Sequence, residues 1–239
     1  QLGTVFSHDI RAAGIDFRCW PAKAGPPTAR CLIFVTPDAQ RTMQTFLGVS
    51  VELGPDDIDP ESIGAAQITY LEGYLFDKPE AKQAFVKAAE LAHAAERKVA
   101  LTLSDPFCVD RHRAEFLHLV SGHVDILFAN QAEIESLYEV DDFDTALQNI
   151  RGHCEIAALT RGADGSVVVA DGEVHVIEAA PVTRVIDTTG AGDLYAAGFL
   201  FGLTHGRDLA ACGRIAGLAA AEIIGHFGAR PETPLKELI

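Results

Sequence analysis

Basic residues are scarce in this sequence. Lysine and arginine together number 19, against 34 aspartates and glutamates, which gives a formal net charge of -15. A surface this acidic repels nucleic-acid phosphates and anionic lipid headgroups, so the composition argues against both as general partners. An anionic small molecule would need a site with its own local positive potential.

Long apolar runs and cysteine pairs are also lacking. No apolar run reaches the ~18 residues of a membrane-spanning helix, and the opening residues QLGTVFSHDI carry neither the basic nor the apolar region of a signal peptide. The five cysteines are scattered without a C-x-x-C pair, which indicates reduced thiols rather than a metal site. The sequence therefore predicts a cytoplasmic protein.

Apolar segments alternate with helical patterns along most of the chain. The 239 residues, 48% of them hydrophobic, suffice for one large domain. The predicted buried strands are CLIFV (31–35), ITYLEGYL (68–75), KVALTLS (98–104), VDILFAN (124–130) and EIAALT (155–160). Strands that alternate with helices favour an α/β fold whose mainly parallel sheet is covered on both faces.

The remaining patterns complete this prediction. Helices are predicted to begin at Pro79 and to cover 111–122, 143–152, about 192–205 and about 208–225. The run SVVVADGEVHVIEA predicts a β-hairpin that turns at Asp171-Gly172. The segment of about 17–50 is β-prone and rich in turn residues, which predicts strands of a small accessory sheet or lid.

The stretch IDTTGAGDLYAAGF joins a turn of small residues to a carboxylate. Gly190, Ala191 and Gly192 enter a predicted helix, whose free N–H groups and dipole attract an anion. Asp193 would repel a phosphate, but it can accept the proton of an attacking hydroxyl. The four residues therefore predict an anion hole and a base for phosphoryl transfer. The alternative is an ordinary glycine turn followed by an acid that the helix dipole favours. Two other phosphate-binding motifs are excluded, because the sequence matches neither the P-loop pattern nor G-x-G-x-x-G.

Four segments together resemble one enzyme family. DTTGAGDLYAAGFL is similar to the C-terminal signature of the ribokinase-like, or phosphofructokinase-B, carbohydrate kinases. LTRGADGSVV resembles that family's nucleotide-binding segment, FANQAEIESL its N-x-x-E motif, and AAAEIIGHFGARP its terminal segment beside the nucleotide base. The resemblance implies a three-layer α/β/α fold with a mainly parallel sheet and remnants of a small β lid, in a single domain 1–239. It also implies a kinase that uses ATP and Mg²⁺.

The resemblance assigns roles to single residues. Asp193 is implied to be the catalytic base, and the Gly190–Gly192 backbone the anion hole. The residues implied to contact the nucleotide are Thr160, Arg161, Gly162, Gly165 and Gly228. Asn130 and Glu133 are implied to hold hydrated Mg²⁺ and to orient phosphates. Further candidates are Arg41, which would reach the transferred phosphate from the lid, Asp187, and His226, which with Gly228 would flank the base or a monovalent cation such as K⁺.

Most of these residues also have an ordinary structural interpretation. Asn130 and Glu133 have the spacing of a helix capping box. The segment 160–162 fits a strand exit before a hairpin, Arg41 fits a solvated turn arginine, and His226 fits a partner for a helix end. Both interpretations can hold for one residue, since a cap can also lie beside a bound ion.

The acceptor is the least defined part of the prediction. The family pattern opens with a strand and a GG motif followed by Asn that bind the acceptor, and neither is present. The opening QLGTVFSHDIRAAGIDF resembles the segment after them, so we expect an N-terminal part to be missing from this sequence. The runs LTLSDPF, VDILFAN and YLEGYL resemble adenosine kinases within the family. Phe17, Trp20 and Phe46 are candidates for an apolar slot that takes a nucleoside base, or they pack the accessory sheet.

These observations leave three functional hypotheses. The first is a kinase of a nucleoside primary hydroxyl, with adenosine as the acceptor. The second is a kinase of the same family that acts on a sugar such as ribose or fructose. The third is a non-catalytic nucleotide-binding protein on the same fold. A homodimer formed through the lid is a further prediction.

Overall fold

The computed structural model describes residues 2–19 and 21–238. The helices are α1 (Leu2–Ala12), α2 (Pro60–Ala65), α3 (Pro79–Ala94), α4 (Pro106–Gly122), α5 (Gln131–Tyr138), α6 (Phe143–Ile150), α7 (Ala191–Thr204) and α8 (Leu209–Ile223). The strands are β1 (Arg30–Val35), β2 (Arg41–Phe46), β3 (Ile68–Glu72), β4 (Lys98–Thr102), β5 (Ile126–Asn130), β6 (Ile156–Thr160), β7 (Ser166–Ala170) and β8 (Glu173–Ile177). Trp20, a candidate for the base slot, lies outside the described residues.

Six strands form the central sheet in the order β3-β4-β5-β6-β7-β8. The pairs from β3 to β6 are parallel, while β7 runs antiparallel to β6 and β8 antiparallel to β7. Consecutive residues on β4 are buried on opposite faces, as a sheet covered on both sides requires: Val99 and Leu101 on one face, Ala100 on the other.

Each face of the sheet has its own hydrophobic core. On one face the strands pack against α3 to α6, with Phe85, Phe116 and Leu137 among the buried side chains. On the other face they pack against α7 and α8, where the Phe128 and Phe199 rings meet edge to face at 5.6 Å. The predicted three-layer α/β/α architecture with a mainly parallel sheet is therefore confirmed.

The abundance of small residues in α7 and α8 reflects how closely the two helices approach. A Cβ atom at Gly198 would lie 2.9 Å from the Cα of Ala216, and one at Gly202 would lie 3.0 Å from the Sγ of Cys212. Real Cβ atoms essentially never show the first distance, and the second is tighter than most real contacts. Larger residues at these two positions would push α8 away from the helix that carries the glycine turn.

Among the described residues, a second sheet is formed by β1 and β2, which pair antiparallel. The prediction that CLIFV is a buried strand is wrong, because β1 lies in this small sheet with Leu32 and Phe34 56% and 60% exposed. Apolar composition alone does not determine whether a second layer covers a strand. The predicted β-prone segment thus supplies a small two-stranded sheet rather than part of the core, and its role as a lid stays a prediction.

Several element boundaries differ from the sequence prediction. Helix α4 begins at Pro106, five residues earlier than predicted, because Asp105 caps it by accepting a 2.7 Å hydrogen bond from the Phe107 amide. The exposed helix α1 was not predicted. The hairpin at Asp171-Gly172 is confirmed, with both residues at positive φ. Within the described ranges, no helix is both long and apolar enough to span a bilayer.

Candidate active site at the carboxyl edge of the sheet

The four parallel strands end in polar residues at one edge of the sheet. Glu72 ends β3 opposite Thr102 of β4, and Asn130 ends β5 opposite Thr160 of β6. In open α/β sheets, ligands bind outside the carboxyl ends of the parallel strands. Several of the predicted site residues lie at or near this edge, which is therefore the candidate active site.

The glycine turn leads into α7. Gly190 is the N-cap residue at φ +83°, and Ala191 to Asp193 form the first turn of the helix. A Cβ at Gly190 would lie 3.2 Å from the Cβ of Ala229, whereas a Cβ at Gly192 would meet no atom of the described chain within 4 Å. The space above Gly192 is thus open, beside N–H groups that have no acceptor within the helix. This turn has the geometry of an anion site.

Asp193 is exposed at this open turn. Its charge acts on two residues of β3: after the effect of burial, it contributes to the raised pKa values of Glu72 and Tyr70. Such coupling requires the Asp193 carboxylate to lie near the end of β3. The structure therefore places Asp193, the predicted base, near the carboxyl edge of the sheet.

Asp187 links the glycine turn to the segment that contains Gly228 through hydrogen bonds. Its buried carboxylate accepts hydrogen bonds from the Thr189 amide (2.9 Å), the Thr189 hydroxyl (2.6 Å) and the Gly228 amide (3.0 Å). Burial would raise the pKa of Asp187, but these hydrogen bonds outweigh it and lower the pKa. Asp187 thus stays ionised while it fixes Gly228 beside the turn.

Asn130 and Glu133 form a capping box at the start of α5. The Asn130 amide donates to Glu133 Oε2 at 2.9 Å, and the Glu133 amide donates to Asn130 Oδ1 at 2.9 Å. Glu133 is buried, and burial, together with the charges of Asp105 and Glu72, raises its pKa to about 7 against the opposing hydrogen bond from Asn130. The structural interpretation of this pair is therefore confirmed, and it leaves a carboxyl group that a nearby cation would help to ionise.

Two arginines approach the edge from different sides. Arg41 is the first residue of β2. Its positive charge contributes to the lowered pKa of Asp187. At Tyr74, whose pKa is raised mainly by burial, the same charge acts in the opposite direction and lowers the pKa. Arg161 follows β6, and its guanidinium lies 4.4 Å from the centre of the Phe143 ring, with Nε 3.4 Å from Gln131 Oε1. These two arginines bring positive charge to this edge despite the acidic composition.

Other predicted residues have clear structural reasons for their identity. Gly165, at φ +80°, would place a Cβ 2.0 Å from the Ile177 carbonyl oxygen, so strand packing alone demands glycine there. Gly162, at φ +57°, has open space instead. His226 contacts Glu222 at 3.3 Å through Nε2, as a histidine near a helix end often does.

Comparison with known proteins agrees with this geometry. Residues 1–236 match the pfkB family of carbohydrate kinases. The chain belongs to the pfkB family. An adenosine kinase from Sinorhizobium meliloti is 51% identical, with a TM-score of 0.96, over 99% of this chain and 73% of that one.

Two further relatives of this pfkB kinase extend the comparison. An uncharacterized sugar kinase from Archaeoglobus fulgidus is 29% identical over 98% of this chain and 91% of its own. An Escherichia coli structure described as a ribokinase II in complex with ATP and Mg²⁺ shares the fold at 19% identity, with a TM-score of 0.85 over 99% of this chain and 77% of that one. The pfkB kinase is thus a nucleoside or sugar kinase, a phosphotransferase that uses ATP and an alcohol acceptor.

The donor atoms of this pfkB kinase fit a hydrated Mg²⁺. In the part of the chain that the structure describes, no three His, Cys, Asp or Glu side chains form a metal cage. Mg²⁺ does not need one, because it keeps several waters and takes one or two carboxylates together with substrate phosphates. The Glu133 carboxyl group, buried beside the Asn130 amide and near the charges of Glu72 and Asp105, offers that chemistry.

Sequence reasoning missed Glu72. Its carboxylate ends β3 and accepts a hydrogen bond from the Ser104 hydroxyl, at the same edge as Asn130. The predicted strand ITYLEGYL ran on to residue 75, which placed Glu72 inside the strand, whereas β3 ends at Glu72 and so brings its carboxylate to the carboxyl edge. Near the same edge, Tyr74 donates a hydrogen bond to Asp105 at 3.4 Å, and Phe107 is 75% exposed.

Replacing Glu133 with Gln should change how stability depends on pH. Because the Glu133 pKa is raised to about 7, the folded state holds this proton more tightly than the unfolded chain. The free energy of unfolding should therefore fall as the pH rises from about 4.5 past 7, by about 3 kcal/mol. Gln keeps the cap and removes this contribution. Chemical denaturation without Mg²⁺ between pH 4.5 and 8 measures the difference.

Glu135→Gln, on the same helix, is the matched control and should retain the wild-type pH dependence. If Glu133 also supports Mg²⁺, E133Q should raise the Mg²⁺ concentration needed for the half-maximal rate. Unchanged Mg²⁺ dependence in E133Q would reduce Glu133 to a capping residue.

Proposed function

We propose that this pfkB kinase transfers the γ-phosphoryl group of ATP to the 5′-hydroxyl of adenosine or a close nucleoside. The observation that carries the proposal is the exposed Asp193 on the first turn of α7, next to the open backbone of Gly192. A base and an anion site joined within one helical turn suit phosphoryl transfer to a hydroxyl group.

In this proposal Asp193 accepts the proton of the acceptor hydroxyl as its oxygen attacks. The first-turn amides from Gly190 to Gly192 face the oxygens of the transferred group, where their dipoles stabilise developing charge. Asn130 and Glu133 would hold a hydrated Mg²⁺, whose positive charge would help to neutralise the phosphates. The chain therefore supplies position and electrostatics rather than a covalent intermediate.

The two arginines and the terminal segment hold the rest of the nucleotide in this proposal. Arg41 adds positive charge from the lid, on the side of Asp187. Arg161 is held against Phe143, so its planar fork is preorganised beside the Thr160–Gly162 exit. Gly228, fixed to Asp187, borders the same turn. A K⁺ requirement and a homodimer through the lid stay predictions.

A nucleoside acceptor is supported by aromatic surface at this edge. Phe107 is 75% exposed on the first turn of α4, and Tyr74 is held to Asp105 just beside it. An exposed ring of this size offers a face on which a nucleobase can stack, which a simple sugar does not need. The 51% identity to the Sinorhizobium meliloti adenosine kinase points to the same acceptor.

A coupled ADP-release assay tests the acceptor. We expect kcat/KM for adenosine to exceed that for other nucleosides, ribose, fructose and fructose phosphates. Phe107→Ala should raise KM for adenosine about 10- to 100-fold, since stacking contributes roughly 1–3 kcal/mol per base. Folding should be unchanged because the ring is mostly exposed.

Val176→Ala is the matched control, since Val176 is 74% exposed on the outermost strand β8. It should leave every kinetic constant unchanged. If a sugar or sugar phosphate gave a higher kcat/KM than adenosine, the nucleoside assignment would be replaced by a sugar kinase of the same family.

A further inference from the structure

An irregular loop after α8 lies against the glycine turn. The loop, residues 224–233, contains no helix or strand. Nevertheless its Gly228 amide bonds to Asp187 at 3.0 Å, and Ala229 approaches the site of a Gly190 Cβ to 3.2 Å. A segment without regular hydrogen bonding needs other contacts to keep such a position.

Glu222 supplies those contacts from the last turn of α8. Its Oε1 accepts hydrogen bonds from the amides of Glu232 (2.9 Å) and Thr233 (2.7 Å), and its Oε2 lies 3.3 Å from His226 Nε2. Glu232 and Thr233 lie at the end of the loop, and His226 lies near its start. One carboxylate therefore closes the loop at both ends.

The position of this carboxylate is unfavourable unless hydrogen bonds from the loop compensate for its burial. The Glu222 side chain is only 8% exposed, and it lies at the C-terminus of a helix, where the dipole disfavours negative charge. Burial would raise the pKa of Glu222, but the hydrogen bonds from Thr233, His226 and Glu232 lower it below its usual value. The group is thus an ionised, fully engaged anchor.

We propose that Glu222 is a positioning residue for the nucleotide. Held at both ends, the loop presents Gly228 to Asp187, and Phe227, the residue before it, is 71% exposed. Glu222 thereby determines where the loop contacts the nucleotide, although Glu222 does not contact the nucleotide itself. This inference rests on the proposed function, which places the nucleotide at that turn.

Glu222→Leu tests the proposal, because Leu fills the buried space and removes all three contacts. Binding of the non-hydrolysable ATP analogue AMP-PNP with Mg²⁺ should weaken about 10- to 100-fold. KM for ATP should rise, while kcat at saturating ATP and KM for the acceptor should stay near the wild-type values. Hydrogen exchange at the Gly228, Glu232 and Thr233 amides should become faster. Glu222→Gln, which keeps an acceptor for the two amides, should recover most of the affinity.

Asp208→Ala is the matched control on the other end of α8. Asp208 caps that helix through the Ala211 amide at 2.7 Å, so its loss should lower stability and leave AMP-PNP affinity unchanged. If E222L bound AMP-PNP as tightly as D208A and the wild type, the positioning role would be overturned and the kinase proposal would stay intact. A wild-type protein that bound no AMP-PNP would remove the proposed function, and this inference with it. If E222L does not fold, Glu222→Met carries the test, because Met keeps the length of the side chain and also removes the contacts: wild-type affinity and wild-type exchange in E222M would overturn the proposal.

Discussion

Replacing Asp193 with Asn should lower kcat by about 10²–10⁴ while ATP binds almost as tightly as before. Asn keeps the size and the first-turn position of the side chain, but it cannot accept the proton of the acceptor hydroxyl. Because Asp193 is exposed, the substitution should not disturb the core. Steady-state kinetics with saturating acceptor, together with direct nucleotide binding, measures the two quantities separately.

Asp208→Asn is the control for this result. Asp208 is the N-cap of the next helix, and Asn caps equally well, so both activity and stability should stay at the wild-type level. A D193N enzyme with near wild-type kcat would show that Asp193 is an acid placed there by the helix dipole, and that the base lies elsewhere.

Gly192→Ala should make the protein more stable and less active. Ala is favoured over Gly in a helix by about 0.5–1 kcal/mol, and the added methyl group meets no protein atom within 4 Å. The Cβ of a helical residue points toward the helix N-terminus, which here is the proposed anion site. The methyl group should therefore hold the phosphoryl group away from the backbone and lower kcat/KM about 10²-fold.

The matched control is Gly122→Ala, at the end of α4, where a Cβ also meets no described atom within 4 Å. Thermal denaturation should show no loss of stability in either variant, and only G192A should lose activity. Full activity in G192A would mean that the open space above the turn is not occupied during the reaction.

Local features of the site could be predicted from the sequence, whereas contacts between distant segments could not. The small residues at 190–192 and the Asn130–Glu133 spacing each act within one turn, so pattern and propensity suffice to find them. The bond from Gly228 to Asp187 spans 41 residues, and no local pattern indicates it. Glu222 was missed for the same reason, since its partners belong to an irregular loop.

Burial was also only partly predictable. The central strands were found because their apolar runs lie between helical patterns, and this neighbourhood implies two covering layers. The lid strand CLIFV is just as apolar, but its exposure depends on which layers surround it, which composition does not encode. The identity of Gly165 likewise depends on the Ile177 backbone of a strand that folds back over it.

The strands of the central sheet lie side by side in the order in which they occur in the chain. Each strand from β4 to β8 thus docks on the neighbour that precedes it, and the sheet can grow from one end as the polypeptide leaves the ribosome. Contacts of short sequence separation also favour fast folding. Helices α7 and α8 follow all six strands in the chain and close the second face of the sheet. The helix that carries Asp193 would therefore dock on strands that have already been synthesised.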